Sequence, residues 1–295
     1  MDDRVHVCYC ANRKMLEPLC VSAFSVAASV AERDITIWVF HSDFYSADVG
    51  KLLNILDPFP NAALEVESIN VDAFDEVRGL HGDVMPFTKL ILPRLMDGKT
   101  ERIVFLDADT VVVGGLDDLY QRNLEGHILG AVSYETLGCA QESDFFRAGG
   151  LDLEKNSFNS GVMLIDVERW NAADKSGQLI NQVKQVDPQE AESDQPFLNV
   201  AFYDNFLPLR IRFNKRAGPD SKLKKKHTTD GILHFVGIPK PWDIGSRWLN
   251  KNYHLYEKHR KRAGVSKRSP REIIRDDGWR RVAKGLLSGL RTLVG

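Results

Sequence analysis

Cysteine is scarce in this chain of 295 residues, and its four cysteines form no recognisable framework. Cys8 and Cys10 alternate with His and Tyr in a strand-like run, and no pair has the Cys-x-x-Cys spacing of a zinc or redox motif. We therefore predict reduced thiols buried in the core, with neither zinc nor disulfides, as is usual for a cytosolic protein.

The sequence also lacks an N-terminal signal segment and long apolar runs. Met1 is followed by two acids and then by a strand-like pattern, without a basic region, an apolar segment or a cleavage site. Charged residues interrupt every apolar run before the roughly 18 residues that a membrane-spanning helix needs. We expect a cytoplasmic protein whose membrane contact, if it has any, is peripheral.

There is no overall excess of positive charge, because the formal net charge is −2. The last 36 residues are the exception, with 11 Lys or Arg against 3 Asp or Glu. This asymmetry argues against nucleic-acid binding by a general basic face and predicts that the tail meets an anionic partner. We predict a catalytic domain at 1–258 and a basic tail at 259–295.

The first part of the chain alternates β-rich runs with helical stretches. Strands are predicted at 5–10, 35–40 and 64–69, with helices at 15–31 and 47–56, and a further buried strand at 102–106. This order is typical of βαβ units and an α/β fold with a mainly parallel sheet. No internal repeat and no low-complexity segment interrupts it.

The pattern of the second half is less regular and indicates an α+β arrangement. It predicts strands at 128–133, 161–165 and 232–236, a helix within 173–186, and a basic surface loop at 215–226. Near the end, apolar residues from Trp279 to Val294 recur at helical spacing with Arg and Lys between them, which predicts a basic amphipathic helix. Such a helix either lies on an anionic membrane surface or docks on the protein or on a partner.

Two acids follow the strand at 102–106, in the run Leu106-Asp107-Ala108-Asp109. Ligands of open α/β sheets bind beyond the carboxyl ends of strands, so the pair lies where a site is expected. Two carboxylates at this spacing can bind one cation, although such pairs also occur by chance in acidic loops.

Three further motifs follow in a fixed order: Phe158-Asn159-Ser160-Gly161, then Asp194-Gln195, then His234-Phe235-Val236-Gly237 with Lys240-Pro241-Trp242. Taken singly, each has an ordinary structural explanation, such as a turn at Asn159, a helix cap at Asp194 or a packed strand histidine at His234. Together with the acid pair, over residues 4–256, they resemble glycosyltransferase family 8. That family includes glycogenin and the bacterial lipopolysaccharide galactosyl- and glucosyltransferases.

The resemblance implies a GT-A-like, Rossmann-related fold and a retaining transfer of Gal or Glc from a UDP-sugar. The acceptor would be a saccharide or a glycolipid such as lipopolysaccharide, and the tail would bind the inner face of the cytoplasmic membrane. It implies Mn²⁺ or Mg²⁺ as cofactor, held by Asp107, Asp109 and His234. A mixed oxygen and imidazole set suits manganese.

The resemblance also assigns the remaining site residues. Gly237 and Lys240 would meet the diphosphate, Asp194 would hold sugar hydroxyls, and Gln195 would lie on the far side of the anomeric carbon. Asp194 and Gln195 are thus the catalytic candidates. The other predicted substrate-binding residues are Cys10, Ala11, Asn12, Lys89, Asp107, Ala108, Asn159, Ser160 and Gly161. The chain departs from the family at two of these positions. Asn12 stands where the family usually has an acid that binds uracil. Lys89 replaces the arginine before the metal strand, and its ammonium keeps the charge but cannot donate the two parallel hydrogen bonds of a guanidinium.

Because no carboxylate is placed as a nucleophile in the family pattern, a front-side displacement is the predicted route to retention. A sugar-nucleotide pyrophosphorylase is the first alternative, but residues 11–18 contain no glycine for its usual loop. A non-catalytic glycan-binding or scaffold protein on the same fold is the second.

Overall fold

The computed structural model describes residues 4–30, 32–70, 84–186 and 193–294. Ten strands occur in this part of the chain. They are β1 Val5–Ala11, β2 Ile35–His41, β3 Ala62–Ser68, β4 Arg102–Leu106, β5 Thr110–Val112, β6 Leu129–Thr136, β7 Asn156–Asp166, β8 Leu207–Pro208, β9 Lys215–Arg216 and β10 Ile232–His234.

Eleven α-helices lie in the same described ranges, four of them before β6 and seven after it. They are α1 Leu16–Ser29, α2 Ser46–Leu56, α3 Leu92–Leu95, α4 Leu116–Tyr120, α5 Ser143–Ala148, α6 Val167–Ala172, α7 Lys175–Gln185, α8 Asp194–Ala201, α9 Ser246–Leu249, α10 Tyr253–Arg262 and α11 Pro270–Val294. Short 3-10 helices at Arg13–Met15 and Met85–Leu90 lie beside the site described below.

The central sheet has seven strands in the order β3-β2-β1-β4-β7-β6-β8. The first four are parallel to one another, whereas β7 pairs antiparallel with both β4 and β6. A second sheet, β5-β10-β9, starts directly after the end of β4. The predicted α/β class with a mainly parallel central sheet is confirmed.

The alternation of side chains along β1 shows how both faces of the sheet are covered. Val5, Val7 and Tyr9 join the core that includes α1, whereas Cys8 joins a second core with Phe105 of β4. A strand buried on both faces is the expected arrangement in a parallel sheet with helices on either side. The carboxyl ends of β1 and β4 therefore open together on one edge of the sheet.

Several predicted boundaries shift for identifiable reasons. The helix expected within 173–186 is α7. It begins at Lys175 because Asp174 caps it: Asp174 has a left-handed φ of 43°, and its carboxylate accepts the Gly177 N–H at 3.2 Å. The loop predicted at 215–226 was wrong at its start: Lys215 and Arg216 form β9, where Lys215 Nζ donates to two backbone carbonyls. The predicted end of the first helix at residue 31 lies outside the described residues.

The cysteine prediction was wrong at one position. All four thiols are free, and Cys8 and Cys20 are buried as expected, but Cys139 is exposed. Cys139 lies in the irregular segment between β6 and α5, where its neighbours Leu137 and Ala140 enter a small core with Phe146 and Cys139 itself faces outward.

The predicted C-terminal helix lies within α11, which packs on α9 and the loop before it. Gly289 approaches Leu249 so closely that an added Cβ would lie 2.7 Å from Leu249 Cβ, and Ser288 Oγ donates to the Ile238 carbonyl at 3.2 Å. Large apolar side chains of α11 remain exposed at the same time: Trp279 at 69%, Leu287 at 60% and Leu290 at 52%. In the described ranges, no helix combines the length and apolar character needed to cross a membrane.

Candidate functional site

The two acids lie in a tight turn between β4 and β5. The backbone N–H of Thr110 donates to the Asp107 carbonyl at 3.1 Å, and the Thr110 hydroxyl donates to the same carbonyl at 2.8 Å. Ala108 is buried at the centre of the turn, so its small side chain packs into the core while the acids lie on either side. The turn thereby holds the Asp107 and Asp109 carboxylates at the carboxyl end of β4.

His234 completes a cluster with these acids because β10 pairs with β5. The register places His234 opposite Thr110, and the ring Nε2 lies 3.2 Å from Asp109 Oδ1 and 3.8 Å from Asp107 Oδ2. One ligand atom of each side chain lies within 4.8 Å of the others. Residues more than 120 positions apart in sequence are thus brought together as predicted.

The chemistry of this cluster fits a divalent cation. Asp109 Oδ1 is buried and has no hydrogen-bond partner among the described residues. The other ring nitrogen of His234, Nδ1, contacts Asn214 Oδ1 at 3.0 Å, and an amide oxygen can only accept. His234 Nδ1 therefore carries a proton, and in the neutral ring Nε2 presents a lone pair to the carboxylates. Two carboxylates and one imidazole facing one another are suitable ligands for Mn²⁺ or Mg²⁺.

Lys240 provides a positive charge next to the acid pair. Its Nζ lies 2.6 Å from Asp109 Oδ2 and 2.5 Å from the Phe235 carbonyl. Burial alone would raise the pKa of Asp109, but the Lys240 ammonium holds it well below its ordinary range. Gly237 lies in the turn before Lys240 with φ of +73°, where a Cβ would also meet the Pro219 ring at 3.1 Å.

Lys89 joins the acid pair to Asp194. Its buried Nζ lies 3.0 Å from Asp107 Oδ1 and 3.2 Å from Asp194 Oδ2, and 4.9 Å from the centre of the Phe105 ring. Burial alone would lower the pKa of Lys89, but the two carboxylates raise it above its ordinary value. The ammonium is therefore charged and holds both acids in place.

Asp194 and Gln195 form the first turn of α8, and both face the site. Burial raises the pKa of the Asp194 carboxyl, and the Lys89 ammonium opposes this shift. Gln195 Oε1 accepts from Asn159 Nδ2 at 2.9 Å and from the Ser160 N–H at 3.3 Å. Both acceptor positions of the Gln195 amide oxygen are therefore occupied.

The Asn159-Ser160-Gly161 segment lies where the pairing of β6 and β7 is interrupted. Ala131 pairs with Met163, but the next residue, Val132, pairs with Asn159, so the residues between form a bulge. Bulges of this kind commonly re-aim side chains next to sites. At Gly161, an added Cβ would lie 2.2 Å from His234 Cε1 and 2.8 Å from Asp107 Oδ2, so only glycine fits.

The remaining predicted residues lie at the end of β1. Burial raises the pKa of the Cys10 thiol to about 12, so this residue is an unreactive neighbour of Lys89. Ala11 is buried, and Asn12 Oδ1 accepts the Lys14 N–H at 3.1 Å as a helix cap. This position is next to the cluster, and the predicted contact of Cys10, Ala11 and Asn12 with the donor stays a prediction.

Two residues that contact the predicted site were missed in the sequence. Asn214 is completely buried between His234 and Asn159, and Glu142 accepts from Gln195 Nε2 at 3.4 Å. Neither stands in a motif: Asn214 follows a short 3-10 helix at Ile211–Phe213, and Glu142 lies in an irregular segment before α5. No local pattern indicates either one.

Comparison with known proteins gives a consistent result. The model of the family described as glycosyl transferase family 8 matches residues 6–244. The glycosyltransferase GlyF of Streptococcus pneumoniae is 25% identical over 227 residues, which are 72% of this chain and 52% of that protein. The lipopolysaccharide 1,3-galactosyltransferase of Salmonella typhimurium is 22% identical over 271 residues, 87% of this chain and 78% of that protein.

The relatives differ from this chain in length. The chain spans about half of GlyF and 38% and 33% of the pneumococcal glycosyltransferases GlyB and GlyA. The crystal structure of the galactosyltransferase LgtC with donor and acceptor sugar analogues is 22% identical, with a TM-score of 0.70 over 91% of this chain and 99% of that chain. This likeness establishes the fold. Because the family match also spans most of the chain, the chain belongs to glycosyl transferase family 8, as its motifs predicted.

Proposed function

We propose that this protein transfers a hexose, Gal or Glc, from a UDP-sugar to a saccharide acceptor with retention of configuration. The observation that supports it is the cluster of Asp107, Asp109 and His234 at the carboxyl end of β4, beside the Lys240 ammonium. Acids that can hold a cation, next to an ammonium group, are the groups that a sugar diphosphate requires. Family membership supports the same class of reaction.

Asp107, Asp109 and His234 would hold Mn²⁺ or Mg²⁺ at this site. A bound cation would neutralise the negative charge that develops on the diphosphate as the sugar leaves. Lys240 would contribute to the same stabilisation as a point charge, and the absence of a side chain at Gly237 lets the backbone approach the diphosphate. The imidazole ligand favours Mn²⁺ of the two.

The contacts of Asp194 and Gln195 favour a front-side displacement. Asp194 is ion-paired with Lys89, and both lone pairs of Gln195 Oε1 accept hydrogen bonds from Asn159 and Ser160. Neither side chain is well suited as a nucleophile, because the Asp194 carboxylate is held by the Lys89 ammonium and the Gln195 amide oxygen is uncharged and already accepts two hydrogen bonds. Asp194 would instead hold sugar hydroxyls, and Gln195 would line the opposite face of the sugar.

The exposed part of α11 supports a glycolipid acceptor and a peripheral position at the inner face of the cytoplasmic membrane. Trp279, Leu287 and Leu290 form an uncovered apolar stripe on a helix from the basic tail. Apolar side chains that enter the lipid interface and cations that meet anionic headgroups are the features of an interfacial helix.

Release of UDP from a panel of UDP-sugars tests the proposal. With Mn²⁺ present and water as acceptor, we expect hydrolysis of UDP-Gal or UDP-Glc, reduced about 100-fold or more in Asp109→Ala because the diphosphate loses its cation. Asp57→Ala is the matched control, since Asp57 is an exposed acid at the end of α2.

Two outcomes would contradict this assignment. If calorimetry detects no binding of any UDP-sugar to the wild-type protein, the donor class is wrong. If Asp109→Ala hydrolyses the donor as fast as Asp57→Ala does, the cluster is not the cation site.

A further inference from the structure

Asn214 joins two parts of the site that the sequence motifs treat separately. It is completely buried, and its Oδ1 lies 3.0 Å from His234 Nδ1 while its Nδ2 lies 2.8 Å from Asn159 Oδ1. One amide thereby contacts both a candidate cation ligand and a residue of the sugar pocket. Among the described residues, the same series of contacts continues from Asn159 to Gln195 at 2.9 Å and from Gln195 to Glu142 at 3.4 Å.

The direction of every hydrogen bond in this series is determined by backbone groups. The Gly161 N–H points to Asn159 Oδ1 at 3.1 Å, and the Ser160 N–H points to Gln195 Oε1 at 3.3 Å. A backbone N–H can only donate, so both side-chain oxygens must lie where these contacts place them. Asn159 therefore accepts from Asn214 and donates to Gln195.

This direction determines the tautomer of His234. Since Asn214 Nδ2 donates to Asn159, the Asn214 oxygen must face His234, and it can only accept. His234 then carries its proton on Nδ1 and presents the Nε2 lone pair toward Asp107 and Asp109. Groups that fix a ligand histidine in this way typically change metal affinity about 10- to 100-fold when they are removed.

We propose that Asn214 is a positioning residue that sets the tautomer of His234 and couples the cation site to the sugar pocket through Asn159 and Gln195. This inference rests on the proposed function for its role in catalysis, whereas the tautomer itself is a property of the metal-free protein. It predicts that the two contacts of Asn214 can be separated by substitution.

Asn214→Asp keeps an acceptor for His234 and removes the donor to Asn159. We expect Mn²⁺ affinity within about threefold of wild type, but UDP release at least 10-fold slower, because Asn159 and Gln195 lose their fixed orientation. Asn214→Ala removes both contacts, so Mn²⁺ affinity, measured by calorimetry, should also fall about 10-fold or more. Asn61→Asp is the matched control, because the Asn61 amide, in the part of the chain that the structure describes, donates to the Val30 and Arg33 carbonyls away from the site.

The tautomer is measured separately by ¹⁵N NMR of the metal-free protein at a pH where His234 is neutral. Wild type and Asn214→Asp should show the proton on Nδ1, and Asn214→Ala should move population to Nε2. A wild-type His234 protonated on Nε2 would overturn the inference, as would Asn214→Asp with unchanged UDP release. If the wild type binds neither Mn²⁺ nor a UDP-sugar, the proposed function fails, while the NMR result still decides the role of Asn214 in the tautomer.

Discussion

At the scale of single residues, close packing around the cluster limits what each position can hold. Gly161 is the clearest case, because its backbone carbonyl accepts the Asp107 N–H at 2.8 Å while His234 covers its α-carbon. The glycine is required by the close approach of a side chain and not by an unusual backbone conformation, since its φ is not left-handed. Its lack of a Cβ is therefore required for the close packing of the Asp107, Asp109 and His234 cluster.

We expect Gly161→Ala to displace His234 or Asp107 and to weaken Mn²⁺ binding about 10-fold or more, with a loss of stability of about 1–3 kcal/mol from overpacking. Calorimetry with Mn²⁺ and thermal unfolding measure the two effects. Gly50→Ala is the control: Gly50 is within α2 with no atom within 4 Å of an added Cβ, and alanine there should stabilise by about 1 kcal/mol. Unchanged Mn²⁺ affinity in Gly161→Ala would show that the cluster does not bind the ion.

At the scale of elements, α11 packs through small residues on the segment that carries Lys240. Gly285 faces Pro239 and Gly289 faces Leu249, so one side of the helix approaches the loop and α9 closely. Trp279, Leu287 and Leu290 remain on the uncovered side of the helix, whereas Leu286 lies close to Gly245. Docking on the body and contact with a membrane are therefore compatible, because they use different sides of α11.

The same substitution at two glycines of α11 should have opposite effects. An added Cβ at Gly289 would lie 2.7 Å from Leu249 Cβ, whereas at Gly285 the nearest atom lies 3.9 Å away. Alanine favours a helix over glycine by about 1 kcal/mol, so Gly285→Ala should slow amide hydrogen exchange across 270–294, and Gly289→Ala should accelerate it. Equal exchange in the two variants would mean that α11 is not packed as described.

At the scale of the whole molecule, charge and exposed apolar surface occur together at one end of the chain. The last 36 residues have a strong excess of Lys and Arg, yet the formal net charge of the chain is only −2. The remaining residues are therefore acidic overall. Such a distribution would orient the protein with α11 toward an anionic surface and the body away from it.

Removal of the exposed stripe tests this orientation. With Trp279, Leu287 and Leu290 all changed to Ser, binding to phosphatidylglycerol vesicles, measured by sedimentation, should fall about 10-fold or more, because apolar area no longer enters the interface. A variant with Leu53→Ser and Ile211→Ser is the control, since these apolar residues are similarly exposed but lie outside α11. Equal binding of the two variants would refute the membrane contact. Wild-type binding should also weaken as salt is raised.

By itself, the sequence determined the parts of this protein that depend on local patterns. The β-rich runs and the helical stretches between them predicted the α/β sheet, and the order of the motifs at Asp107, Asn159, Asp194 and His234 predicted the family. Both predictions are confirmed. Local signals suffice here because strand burial and the end of a parallel strand follow from residues that are close in sequence.

Only the tertiary structure decided which side chains meet. The pairing of β10 with β5 brings His234 to Asp109, and the bulge in β7 together with α8 brings Gln195 to Asn159. Asn214 has no local signal at all, because its role depends on the direction of hydrogen bonds from groups distant in sequence. Long-range pairing and the orientation of buried amides are properties of packing, and packing is specified by the whole chain rather than by any segment of it.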